Sequence, residues 1–291
     1  MSDHFITKKP KEGEPYDTII IGSGPAGLTA GIYTTRGALS TLVLGGAKWG
    51  GQLMLTTEVE NYPGFPEGVQ GPELMKKFRA QAERFGAEIK LEDVEAVNFS
   101  KHPFKVTTTG ITYQGKSVII ATGADTLWLG LESEQRLIGR GISSCAPCDA
   151  PFFRGKNVIV VGGGDSAMEE ALVLTKYATS VTLIHRRDSF RASEIMQKKV
   201  LANPKIKVVW NSEITEVLGD QKVTGVKIKN SQTGEISEMA IDGVFVAIGH
   251  SPMTAIFQGQ IGLDEKGYVV KNQKSKIKNQ NYSTATSVEG V

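Results

Sequence analysis

The chain has 291 residues, 33 Lys or Arg against 31 Asp or Glu, a formal net charge of +2, and only two cysteines. Its basic residues are spread out rather than gathered into a stripe, which argues against nucleic acid as a partner, and no apolar run approaches the ~20 residues of a membrane span. Two cysteines make no disulfide framework.

Met1 to Pro15 is polar and lacks an apolar stretch of signal-peptide length. It reads as a mobile, solvated arm on a cytoplasmic protein of one or two domains. Tyr16 to Ile21 (YDTIII) is a short β-branched apolar run, the pattern of a buried parallel strand. It enters Gly22-Ser23-Gly24-Pro25-Ala26-Gly27, then a helical stretch through about Arg36, then a second strand, Thr41 to Leu44. In this context the three glycines have separate physical roles. Gly22 turns the chain tightly, Gly24 lets backbone approach a pyrophosphate, and Gly27 lets the helix pack close to the sheet. The helix N-terminus then faces the phosphates. The acid expected at the end of the second strand to hold ribose hydroxyls is missing, because Leu44 is followed by Gly45-Gly46.

Ser144-Cys145-Ala146-Pro147-Cys148-Asp149 carries both cysteines. A closed zinc site takes four ligands, and His4, His102, His185 and His250 form no second close pair. The dithiol therefore reads as redox-active. Asp149 beside it is either the acid/base for a leaving thiolate or a helix-capping or turn carboxylate. Phe152 and Phe153 either line a docking surface or pack into the core.

Asn157 to Val161 (NVIVV) is again a buried-strand run and enters Gly162-Gly163-Gly164-Asp165-Ser166-Ala167. A helix ending near Tyr177 and a strand, Val181 to Ile184, follow. That strand ends in His185-Arg186-Arg187, with Arg191 beyond, about twenty residues after the glycines, where a dinucleotide site reads the ribose. Guanidinium groups in place of an acid suit a phosphate dianion, so NADPH is expected over NADH. Two dinucleotide motifs 140 residues apart imply two nucleotide domains. A flavin at the first would mediate between nicotinamide and dithiol.

Taken together and in order, these segments resemble the low-molecular-weight, NADPH-dependent thioredoxin reductases, from Tyr16 to Val291. GSGPAG (Gly22 to Gly27), GGQL (Gly50 to Leu53), VENYPGF (Val59 to Phe65) and ATGA (Ala121 to Ala124) resemble the family's FAD-binding segments. CAPCD resembles its redox centre, GGGDSAMEEA with HRR…R its NADPH site, and AIGHSP (Ala247 to Pro252) the exit from the NADPH domain. The resemblance implies an α/β protein of two Rossmann-like dinucleotide-binding domains. An arm over residues 1–15 precedes an FAD domain of 16–125 and 253–291, with the NADPH domain, 126–252, inserted.

It also implies a homodimer, with electrons running from NADPH through FAD to Cys145 and Cys148 and on to thioredoxin. Gln52, Asn61 and Gly123 fall to the FAD site. Gly164, Asp165, Ser166, Glu169, His185, Arg186, Arg187, Arg191 and Gly249 fall to the nucleotide side, with Glu169 near the nicotinamide.

The family's redox motif ends Cys-Asp-Gly, whereas Asp149 here is followed by Ala150-Pro151. If that position holds positive φ, alanine strains the turn. Thr286 to Val291 resembles the lead-in to the family's second FAD motif, and the chain stops just before it. The expectation is a truncated form of an ordinary reductase, the alternatives being a flavin-poor NADPH-binding remnant or a reductase of another disulfide protein. Lys271 to Asn281 reads as an exposed lysine-rich loop.

Overall fold

The structure is a computed structural model that describes residues 10–11, 13–55, 58–271, 276–277, 280–281 and 284–291. Most of the expected N-terminal arm lies outside the described residues. Within the lysine-rich segment, Lys276–Ile277 and Gln280–Asn281 pair as antiparallel strands; residues 272–275 and 278–279 lie outside the description.

The chain divides into two compact units: Met1–Glu58, Gly68–Asp125 and Ser251–Val291 form one, Val59–Glu67 and Thr126–His250 the other. The return to the first unit thus falls at Ser251, two residues before the sequence expectation. Val59–Glu67, expected in the first unit, groups with the second.

In chain order the first part contains β1 (Tyr16–Ile21), α1 (Pro25–Arg36), β2 (Thr41–Leu44), β3 (Glu58–Val59), β4 (Val69–Gln70) and α2 (Gly71–Arg84). It continues through β5 (Glu88–Lys90), β6 (Val94–Asn98), β7 (Phe104–Thr108), β8 (Ile111–Ile120) and β9 (Ala124–Thr126). The first unit's sheet has the order β5-β2-β1-β8-β7-β6. Its first four strands run parallel, and β7 and β6 add an antiparallel edge. Strand alternation, with both faces covered, explains why the end of β1, Ile19 to Ile21, is apolar at every position. Ile19 and Ile21 enter a layer with Phe99, Phe104 and Phe257. Ile20 enters the opposite layer with Leu28, Ile32 and Met75 from the helices. Each fully buried isoleucine contributes roughly 1.5–3 kcal/mol.

The second unit holds α3 (Glu132–Leu137), β10 (Ile142–Ser143), α4 (Ala146–Asp149), β11 (Asn157–Val161), α5 (Asp165–Leu174), β12 (Ser180–Ile184), α6 (Glu194–Leu201) and β13 (Ile206–Val209). After these come β14 (Ser212–Leu218), β15 (Gly225–Asn230), β16 (Ile236–Ala240) and β17 (Gly243–Val246), and β18 (His250–Pro252) spans the return to the first unit. The expected helix after the second glycine turn stops at Leu174, short of Tyr177. A parallel sheet, β10-β17-β11-β12-β13, lies between two layers. Val158, Val160, Leu183 and Phe245 meet Met168, Ala171 and Leu174 on the helical side. Ile159, Val161, Ile184, Val244 and Val246 meet Ile214, Val217, Val226 and Ile228 on the other, where β14, β15 and β16 form an antiparallel meander.

Phe245 is fully buried and meets Phe153 edge-on at 5.1 Å between ring centroids. Phe245→Ala should cost about 3–5 kcal/mol, read as a lower urea midpoint for the second unit's transition at an unchanged slope.

Candidate nucleotide turns and dithiol centre

The first glycine turn is built by close backbone approach. Gly22 adopts φ +112, and a Cβ there would collide with the Ala121 carbonyl oxygen. A Cβ on Gly27 would collide with the Gly22 carbonyl oxygen, so the helix seats directly on the turn. Gly24 is different: the nearest atom to its missing Cβ, the Gly51 Cα, is 4.0 Å away. The space a ligand needs is therefore at Gly24. It is also the N-cap of α1, which has no side-chain cap and no acid in its first turn, leaving first-turn N–H groups such as those of Ala26 and Gly27 for an anion. Pro25, at the start of the helix, has no N–H to satisfy.

Ser23 is buried, and its hydroxyl is already committed. It donates to the Gly45 carbonyl at 3.0 Å and accepts the Gly50 N–H at 3.1 Å. One side chain thereby ties the turn to the end of β2 and to the Gly51–Met54 segment. Gln52, in that segment, donates its side-chain amide to the Ala124 carbonyl. No carboxylate ends β2 itself, but Asp93, which follows β5, comes to the loop after it and accepts the Ala47 N–H at 3.1 Å. Gly123 is at φ +67 and open on the side its Cβ would occupy. Asn61 is exposed in the Val59–Glu67 segment, so the structure does not bring it into one unit with Gln52.

The second turn repeats the logic with different residues. A Cβ on Gly162 would collide with the Ala247 carbonyl oxygen, and one on Gly163 would overlap the imidazole of His185. Gly164 is open on the side its Cβ would occupy and caps α5 without a side-chain hydrogen bond. The sequence places His185 on the ligand, but the structure puts it under the turn. It is buried, its Nε2 bonds the Ser189 carbonyl at 3.0 Å, and its ring packs against Phe190 and Trp210. Burial, reinforced by Arg191, Arg187 and Arg186, holds its pKa below the ordinary value. It is a neutral support for the arginines.

Arg186, Arg187 and Arg191 are exposed, and none forms an ion pair among the described residues. Their loop is clamped to the turn. The backbone N–H groups of Arg191 and Ala192 donate to the Gly163 carbonyl at 2.8 and 3.2 Å, and the Ser193 N–H and hydroxyl both donate to Asp165. Those bonds hold the Asp165 carboxyl below the usual range. Asp165 thus acts through the loop, while Ser166 and Glu169 on α5 are exposed. Gly249, at φ +126, accepts the Leu127 N–H at 3.0 Å.

Cys145 and Cys148 are joined as a disulfide across the short helix α4. Asp149 is half-buried, and burial pushes its carboxyl up against a weaker opposing hydrogen bond from Ser143. Ser143, which no sequence signal singles out, also accepts the Cys145 N–H at 3.0 Å. The strain anticipated at Ala150 is absent: it adopts φ −54, ψ −35, an ordinary right-handed conformation, and is fully buried. The two following rings divide their roles. Phe153 is buried against Gly243, where a Cβ would overlap the ring, whereas Phe152 is exposed.

Glycine turns closing a parallel sheet in each unit, an arginine-bearing loop and a redox disulfide define a dinucleotide-dependent disulfide oxidoreductase. The family model for pyridine nucleotide-disulphide oxidoreductase matches residues 16–286. The thioredoxin reductase of Rickettsia prowazekii is 52% identical over 277 residues, 94% of this chain and 87% of that protein. A bifunctional thioredoxin reductase/thioredoxin of Mycobacterium leprae is 50% identical over 278 residues, 95% of this chain and 59% of that protein. Among solved structures, thioredoxin reductase from Giardia duodenalis aligns with a TM-score of 0.87 at 41% identity, covering 95% of this chain and 88% of that one. The chain belongs to the pyridine nucleotide-disulphide oxidoreductases and, within them, to the low-molecular-weight thioredoxin reductase family.

Gly163→Ala should drive His185 out of its seat. The expected loss is about 1–3 kcal/mol of stability, with weaker nicotinamide-nucleotide binding; a thermal melt and a binding titration check both.

Proposed function

We propose that this chain is a thioredoxin-disulfide reductase in which the first unit holds FAD and the second, inserted between its parts, holds NADPH. The observation that carries the reading is one unit's combination of a disulfide, an uncapped glycine turn and three guanidinium groups without ion pairs among the described residues.

The residues present fit both groups. Gly24 and Gly164 leave open space where a side chain would block a pyrophosphate, and the first-turn N–H groups beside them suit its charge. In the first unit the turn Gly22–Gly27 would hold the FAD phosphates, with Gln52 and Gly123 toward the ring. In the second, Gly164, Asp165 and Ser166 would meet the NADPH pyrophosphate through backbone, Glu169 would lie toward the nicotinamide, and Gly249 would shape the strand end. Arg186, Arg187 and Arg191 would clamp the ribose phosphate. Bound FAD supplies the two-electron chemistry that links a nicotinamide to a disulfide.

The chain's own chemistry follows from the dithiol. Once the Cys145–Cys148 bond is reduced, one thiolate attacks the partner disulfide, and the mixed disulfide is resolved by the other sulfur. Asp149, kept protonated to higher pH by burial, returns a proton to the thiolate that leaves. A homodimer working in the cytoplasm completes the proposal, and sedimentation tests its stoichiometry.

A purified chain should show flavin absorption bands that NADPH bleaches and oxidised thioredoxin restores. A colourless protein that still binds NADPH would reject the reading. Arg186→Ala combined with Arg187→Ala should weaken NADPH by about 10- to 100-fold, the scale of lost charge-assisted hydrogen bonds, while leaving NADH nearly unchanged. Equal losses for the two coenzymes would refute the phosphate clamp. Cys145→Ser or Cys148→Ser should abolish thioredoxin reduction while NADPH still bleaches the flavin.

A further inference from the structure

Every backbone donor around the disulfide is already committed. The Cys145 N–H goes to the Ser143 hydroxyl, and those of Cys148 and Asp149 go to the Cys145 carbonyl at 3.2 and 3.1 Å. Pro147 has no N–H. The remaining one, on Ala146, donates to Oε2 of Glu170 on α5. In many dithiol turns, free N–H groups after the first cysteine stabilise its thiolate. Here that donor faces a carboxylate instead.

We propose that Glu170 is a positioning residue for the dithiol, and that the charge on its carboxylate controls how readily the reduced pair forms a thiolate. The proposal rests on Cys145–Cys148 being the redox centre. The ionisation concerned is S–H → S⁻ + H⁺, with the proton released to solvent. Glu170 both anchors the segment, through the Ala146 N–H, and sets a negative charge against the sulfur ionisation.

Glu170 titrates in the relevant range. Burial raises its pKa to about 7, the Ala146 N–H opposes that, and the nearby carboxylates of Asp149 on α4 and Glu169 on α5 raise it further. Below that pH Glu170 is neutral and leaves thiolate formation alone; above it the carboxylate is charged and suppresses it. A like charge at close range shifts an acid by about a unit or more.

The test is the pH profile of iodoacetamide alkylation on the full chain, with the dithiol reduced by a phosphine and the reductant removed. Glu170→Gln keeps an oxygen for the Ala146 N–H but removes the charge. Its rate should match the parent below about pH 6 and exceed it about tenfold near pH 8. Glu170→Ala, lacking both bond and charge, should show the same rise above pH 7. Asp149→Asn should keep the inflection but move it to lower pH, because Glu170 still titrates while one of the carboxylates that raise it is gone. Superimposed profiles for Glu170→Gln and the parent, or a ratio constant across pH, would overturn the proposal. The measurement uses neither NADPH nor thioredoxin, so a failure of the reductase reading shows separately, as absent turnover in a chain with a normal alkylation profile.

Discussion

Both units depend on one close approach: the first glycine of each turn lies against the carbonyl at the end of a neighbouring strand. Gly22 meets Ala121 after β8, and Gly162 meets Ala247 after β17, at separations no side chain can occupy. That contact lets a strand end and a helix begin within a few residues, with the helix N-terminus aimed outward over the sheet edge. The units reach the same result with different fillings. In the first, Gly27 seats the helix and a serine hydroxyl binds the surrounding loops. In the second, Ala167 takes the helix position, and an imidazole lies beneath the middle glycine.

The parts legible in the sequence are those whose physics is local. A β-branched run, a glycine turn and a helix start are contiguous, so YDTIII-GSGPAG and NVIVV-GGGDSA can be read directly, and the arginines stand at the expected distance from the second. Contacts between distant positions are not legible. Asp93 comes to the end of β2 only because β5 pairs with it. Asp165 meets Ser193 across 28 residues. Glu170 reaches Ala146 across 24, and nothing in GGGDSAMEEA distinguishes the second glutamate from the first. His185 misleads for a related reason: its place beside two arginines suggests a shared ligand, but just past the end of β12 its ring is buried under Gly163 and against Trp210, while Arg186 and Arg187 are exposed.

The arginine loop shows how an exposed, charged loop is held in place without being buried. Its guanidinium groups stay in water, where their charge costs little to hold. The loop backbone is fixed by Gly163 and by the Asp165–Ser193 pair, so its course is set by the turn itself. Preorganisation of this kind spares a ligand the entropy of ordering the loop. The dithiol segment follows the same economy, with its amide donors satisfied internally and its chemistry left to the two sulfurs and the carboxylates around them.

Ala150 has a consequence for how such chains are found. Its backbone is right-handed helical and its side chain is buried, so the residue after Cys-Asp has no geometric need for glycine in this protein. A search pattern that insists on glycine there would pass over this chain. A pattern written from the backbone angles, allowing any small residue ahead of a proline or an aromatic, would retain it.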